Sequence, residues 1–164
     1  MADKAISLAG PDRLDRTLGW LALALLAVVL VALVRGSAHW GEVSLPIWVH
    51  IATILTGLAL TPVMMWRRRG DSTHRTLGYV WVVSLALAAL SSFLITATNP
   101  GHFSVIHLLS IWTMVQLPVI VLAARRRNHP RHRRAVRGMI IGALLIAGFF
   151  TLPFGRMLGR WLMG

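Results

Sequence analysis

Long apolar runs separated by short polar stretches make up most of the chain. They cover about Leu18–Val34, Leu45–Trp66, Leu77–Thr98, Phe103–Ala124 and Ala135–Phe154, each close to the roughly 20 residues with which a helix crosses the hydrocarbon core of a bilayer. The pattern predicts an all-α integral membrane protein with five transmembrane helices. A single transmembrane domain is expected over residues 1–164, with residues 1–17 as a cytoplasmic leader. That leader carries Asp3, Asp12 and Asp15, and no small-x-small cleavage site follows the first run. The run is therefore expected to stay as an anchor rather than to act as a signal peptide.

The pattern also repeats. In VHIATILTGLALTPVMMWRRRGDSTHRTLG, His50 precedes Pro62 by 12 residues, Arg67 by 17 and His74 by 24. In IHLLSIWTMVQLPVIVLAARRRNHPRHRRAVRG, His107 precedes Pro118 by 11, Arg125 by 18 and His132 by 25. An arginine follows both His74 and His132. Spans two to five are thus expected to form a duplicated four-helix bundle, two hairpins running in the same sense, with the first span added.

Composition and charge refine this picture. Hydrophobic residues make up 56% of the chain and charged ones 13%, too apolar for a soluble domain. There is no cysteine, which excludes disulfides, thiolate metal sites, covalently attached haem and iron–sulfur clusters. The net charge of +12 follows the membrane. Fourteen of the 17 basic residues fall before span one, between spans two and three, or between spans four and five; the other three are Arg35, Arg156 and Arg160. The positive-inside rule then places the N-terminus in the cytoplasm and the C-terminus outside. The expected location is a bacterial cytoplasmic (inner) membrane, with anionic lipid and not nucleic acid as the partner of the charge.

Candidate chemistry rests on four histidines. His50 and His107 fall about one turn inside the outer ends of spans two and four, and His74 and His132 at the cytoplasmic starts of spans three and five. They form two levels separated by most of a bilayer, at 1.5 Å per residue, so one four-histidine metal site is excluded. Within a level, two neutral imidazoles facing each other can ligate one haem iron. Gly57, Gly78, Ser84, Ala86, Ala88 and Ala89 offer small walls, and Arg75, Arg131, Arg133 and Arg134 offer cations for inner propionates. The outer pair is the stronger candidate, because an ionisable residue deep in a span marks function. His39, His102 and His129 read as loop residues. All five acidic residues, Asp3, Asp12, Asp15, Glu42 and Asp71, lie outside the spans, which argues against a cation pump or transporter.

Two resemblances follow. The pattern from Leu45 to Phe149, with its THRTLGYVW and HPRHRRAVRGM segments, resembles the bacterial membrane-protein family called domain of unknown function 2306, which implies a membrane bundle and assigns no chemistry. The histidine order also resembles the diheme transmembrane cytochromes of the b-561 type. That resemblance implies the pairs His50 with His107 and His74 with His132, holding haem b, but the reductant-binding motifs of that family are not recognisable, so ascorbate does not follow. The expected function is a b-type cytochrome-like electron-transfer protein with one or two bis-histidine haems, passing electrons across the bilayer or to quinone. The alternative is a haem-free accessory or assembly subunit of a respiratory or photosynthetic complex. Beyond the lipid bilayer, a larger membrane complex or a homo-oligomer is the expected partner.

Overall fold

A computed structural model of the chain describes residues 10–67, 69–95, 105–153 and 155–164. Its elements are α1 (Arg13–Arg35), a 3-10 segment (Ser37–Glu42), α2 (Leu45–Trp66), α3 (Ser72–Ser92), α4 (Val105–Arg125), α5 (His129–Met139), a π-helical stretch (Ile140–Ile146), α6 (Ala147–Phe149) and α7 (Met157–Met163). Among the described residues all regular structure is helical, and four helices, α1 to α4, are long and apolar enough to cross a membrane.

Short polar residues set the helix starts. Asp12 caps α1: its Oδ1 accepts from the Asp15 backbone N–H at 2.9 Å, and Asp15 Oδ2 accepts from the Asp12 N–H at 3.2 Å. This reciprocal box satisfies two of the donors a helix leaves open at its N-terminus. Asp71 caps α3 through the His74 N–H, and Asn128 caps α5 through the Arg131 N–H at 3.1 Å. Pro46 and Pro130 occupy first-turn positions, where the missing N–H costs nothing. Pro62 and Pro118 instead lie inside α2 and α4, where each removes a helical hydrogen bond.

The expected boundaries shift for these local reasons. α3 begins at Ser72, five residues before the expected Leu77, because Asp71 supplies the cap. The fifth helical run begins at His129 rather than Ala135 and ends at Phe149, ahead of Pro153. Residues 96–104, the expected junction of spans three and four, lie outside the described residues.

α1 packs on α2, α2 on α3 and α4 on α5. Their shared core holds Leu18, Leu58, Leu85, Met139, Ile140 and Leu144. A second cluster joins Val29, Leu33 and Ile51 to Met157, Leu158 and Trp161. The continuous run from α5 to α6 passes through the core at Met139 and Ile140, sets Gly148 against Leu25, and leads to α7, where Trp161 covers Gly36. Gly36 follows the end of α1, so this run travels from the Asp12 end of the bundle to the Arg35 end. A Cβ at Gly36 would collide with the Trp161 indole. Apolar residues such as Val31, Val83, Leu87, Leu108 and Val115 face outward; a belt of this kind is at rest in hydrocarbon and out of place in water.

Candidate functional site

The arginine-rich end is built around an acidic residue. Asp15 is fully buried, at 0% exposure, in the first turn of α1. Arg69, from the loop before α3, pairs with its Oδ2. From α5, Arg133 Nη2 reaches Asp15 Oδ2 at 2.7 Å, and Arg137 Nη2 reaches Oδ1 at 2.8 Å with its Nε at 3.0 Å. Asp12 Oδ2 forms an ion pair with Arg133 at 2.7 Å and accepts from Arg137 Nη2 at 2.6 Å. Two carboxylates thus face three guanidiniums. The residues before α1, between α2 and α3, and at the start of α5 are fastened at one end of the bundle.

Arg133, offered as a cation for an inner propionate, pairs here with Asp12 and Asp15, and one expectation is corrected. Asp15, read as part of a polar leader, is instead the centre of the cluster. Its partners lie 54, 118 and 122 residues away, so periodicity could not find them. The sequence signal was the D-x-x-D box immediately before the first apolar run.

Burial tends to raise the pKa of the Asp12 carboxyl, but the Asp15 N–H and Arg137 outweigh it, and the group lies below the ordinary carboxylate value. Asp71 is lowered as well, by the His74 backbone N–H first and by Arg67 next.

His74 and His132 occupy the first turns of α3 and α5 beside this cluster, close enough to interact electrostatically with one another and with Arg69. His132 Nδ1 lies 3.0 Å from the Ile120 carbonyl oxygen. A carbonyl can only accept, so Nδ1 carries the hydrogen, and in the neutral ring Nε2 keeps its lone pair. His74 Nδ1 is buried and has no hydrogen-bond partner among the described residues.

The other level is arranged differently. His50 Nδ1 donates to the Ala88 carbonyl at 2.9 Å, with Ser91 Oγ at 3.2 Å, and again leaves Nε2 with its lone pair. Beside His50 a cavity of about 260 Å³ opens between α1, α2, α3, α4 and the fifth run. His107, 7% exposed, stacks on Phe93 with ring centroids 5.7 Å apart; His50 lines the cavity and His107 does not. Gly57, expected to leave room beside His50, is instead packed under Leu85, and Gly78 faces Met64. His39 is an exposed residue paired with Glu42, His129 opens α5, and His102 lies outside the described residues.

No family model, curated protein or solved structure matches the chain. What the residues can hold is therefore judged by their own chemistry. Among the described residues no three histidine or acidic side chains gather as a metal-ion site. At the arginine-rich level two imidazoles are candidate donors: one ring is held by a carbonyl as metal-bound histidines are, and the other has a buried nitrogen without a partner among the described residues.

Proposed function

We propose that the chain is a small membrane electron-transfer protein of the b-type cytochrome kind, with one haem held between His74 and His132. The observation that carries this reading is the Nδ1–H of His132 donated to the Ile120 carbonyl, together with a buried Nδ1 of His74 that has no hydrogen-bond partner among the described residues. The carbonyl fixes the tautomer and ring orientation and raises the basicity of Nε2, as the outer partners of ligating histidines do. Haem, when bound by two imidazoles, supplies one-electron chemistry and leaves no open iron position for oxygen. The chain's own contribution is to bury the pair and to hold beside it the Asp15 cluster, whose three guanidiniums outnumber its two carboxylates and leave a net positive charge that favours the reduced state. In this reading the fifth helical run crosses the bilayer with the four apolar helices, and the arginine-rich end faces the cytoplasm.

The test is a reduced-minus-oxidised absorbance spectrum of the detergent-purified protein from a haem-replete host. Soret and alpha bands are expected, lost in His74→Ala and in His132→Ala and retained in His39→Ala. A protein without reducible bands ends the cytochrome reading and leaves the haem-free accessory subunit in its place.

A further inference from the structure

The cavity beside His50 has walls of Leu25, Leu85, Leu109 and Leu144, with polar side chains at a few points. Those polar groups share one property. His50 donates its Nδ1–H to Ala88 O at 2.9 Å, Ser92 its hydroxyl to Ala89 O at 2.7 Å, Thr113 to Leu109 O at 2.8 Å and Thr151 to Gly148 O at 2.6 Å. Each of these four has spent its hydrogen on the backbone, and with the Ser92 hydrogen on Ala89 O, Ser110, which also lines the space, is the donor in its 2.6 Å hydrogen bond to Ser92 Oγ; what remains for a ligand is lone pairs. Nε2 of His50 is the most basic of them, and it takes no hydrogen bond from any described residue. Arg156, which also lines the space, is the lining side chain with several hydrogens to give.

A ligand suited to this space is apolar, small, and brings its own hydroxyl hydrogen. About 150 Å³ is enough for a benzene ring, so about 260 Å³ has room for one substituted ring. We infer that the cavity is a binding site for a hydroquinone-class ligand, with one ring hydroxyl donating to His50 Nε2. Arg156 is the donor available to a ring oxygen. A quinone has carbonyl oxygens in place of hydroxyls, so facing His50, Ser92 and Thr113 it meets lone pair with lone pair. The site therefore selects the reduced form.

Binding needs no haem, so this inference and the cytochrome reading fail separately. Decyl-hydroquinone, kept anaerobic, and decyl-benzoquinone are titrated into the detergent-solubilised full chain by equilibrium dialysis. The reduced probe is expected to bind at one per chain and at least tenfold more tightly than the oxidised one, the factor that a single hydrogen bond of about 1.4 kcal/mol supplies. His50→Phe should remove that preference. Thr113→Val, nearly isosteric and so the milder change, should weaken the reduced probe a few-fold while gel filtration remains that of the parent. Equal affinity for the two redox forms, or no binding of either by the parent chain, overturns the inference. So does displacement of the hydroquinone by decanol at equal concentration, which marks a general lipid crevice. A preparation without haem bands that still prefers the reduced probe retains this site and ends only the cytochrome reading.

Discussion

The chemistry of Asp15 shows how one residue can govern an end of the bundle. A carboxylate with 0% exposure is tolerable only because three guanidiniums surround it, and removing one member of a buried ion pair costs roughly 3–5 kcal/mol. Asp15→Asn should therefore lower stability by about that amount, since Arg69, Arg133 and Arg137 would be left facing each other; thermal unfolding in detergent measures it. Asp12→Ala should cost less, about 1 kcal/mol, the usual value of a lost N-cap, because that side chain is 46% exposed and its ion pairs are screened. The same cluster gives a pH dependence. The pKa of Asp12 in the folded chain lies below its unfolded value of about 3.9, so its contribution is complete above that value and is lost as pH falls through the folded pKa. Asp71 shifts in the same direction. Melting temperature should hold steady from neutrality down to about pH 5 as far as these groups are concerned, and decline below about pH 4. Asp12→Asn should flatten the decline. Beyond the D-x-x-D box, the cluster was not readable from the sequence, where Asp15 stands in a polar stretch and its partners lie in two distant arginine runs. The positions of the histidines were readable, because an ionisable residue among apolar ones announces itself; their ring orientation depends on the Ala88 and Ile120 carbonyls, which no pattern of side chains reveals.

Between elements, a buried side-chain pair joins α2 and α3 in addition to the His50–Ala88 bond. Trp81 Nε1 donates to Thr61 Oγ1 at 3.0 Å, and Thr61 in turn donates to Gly57 O at 2.7 Å. Thr61→Val keeps the volume and strands the indole N–H, which in water-soluble cores costs about 1–3 kcal/mol and between membrane helices averages about 0.6. The expected loss is about 1 kcal/mol, with Thr61→Ser close to the parent, and the melting temperatures of the two variants decide it. A loss equal to that of Asp15→Asn would contradict the argument. Helix content was legible from the apolar runs, and the starts of α3 and α5 are explained by Asp71 and Asn128. The π-helical stretch Ile140–Ile146 was not legible: IIGALLI reads as ordinary helix, and the close approach of Gly142 to the Trp112 ring is a tertiary contact that no local pattern announces.

At the scale of the molecule, the charge cluster also bears on topology. Arg69 belongs to the connection after α2, Arg133 and Arg137 to the start of α5, and Asp12 and Asp15 to the start of α1; their pairing places all three regions at one end of the bundle. From there the fifth run leads to α7, whose Trp161 covers Gly36 at the opposite end. If each lengthwise pass is also a passage through lipid, the count is odd and the two termini lie on opposite sides. The arginines then decide which side is which, since retaining them in the cytoplasm is favoured during insertion. Reporter fusions after Gly70 and after His129 should both report the cytoplasm, and a fusion at Gly164 the exterior. A cytoplasmic Gly164 with cytoplasmic Gly70 and His129 would mean that the run from His129 to Phe149 does not cross, reducing the spans to the four apolar helices. An external Gly70 beside a cytoplasmic His129 would separate Arg69 from Arg133 and Arg137 by a membrane, and the Asp15 cluster could not form at all. That second outcome is also tied to stability: charge reversal of Arg133 and Arg137 together should both weaken the cluster and erode the cytoplasmic bias of the His129 fusion, because the same side chains serve both.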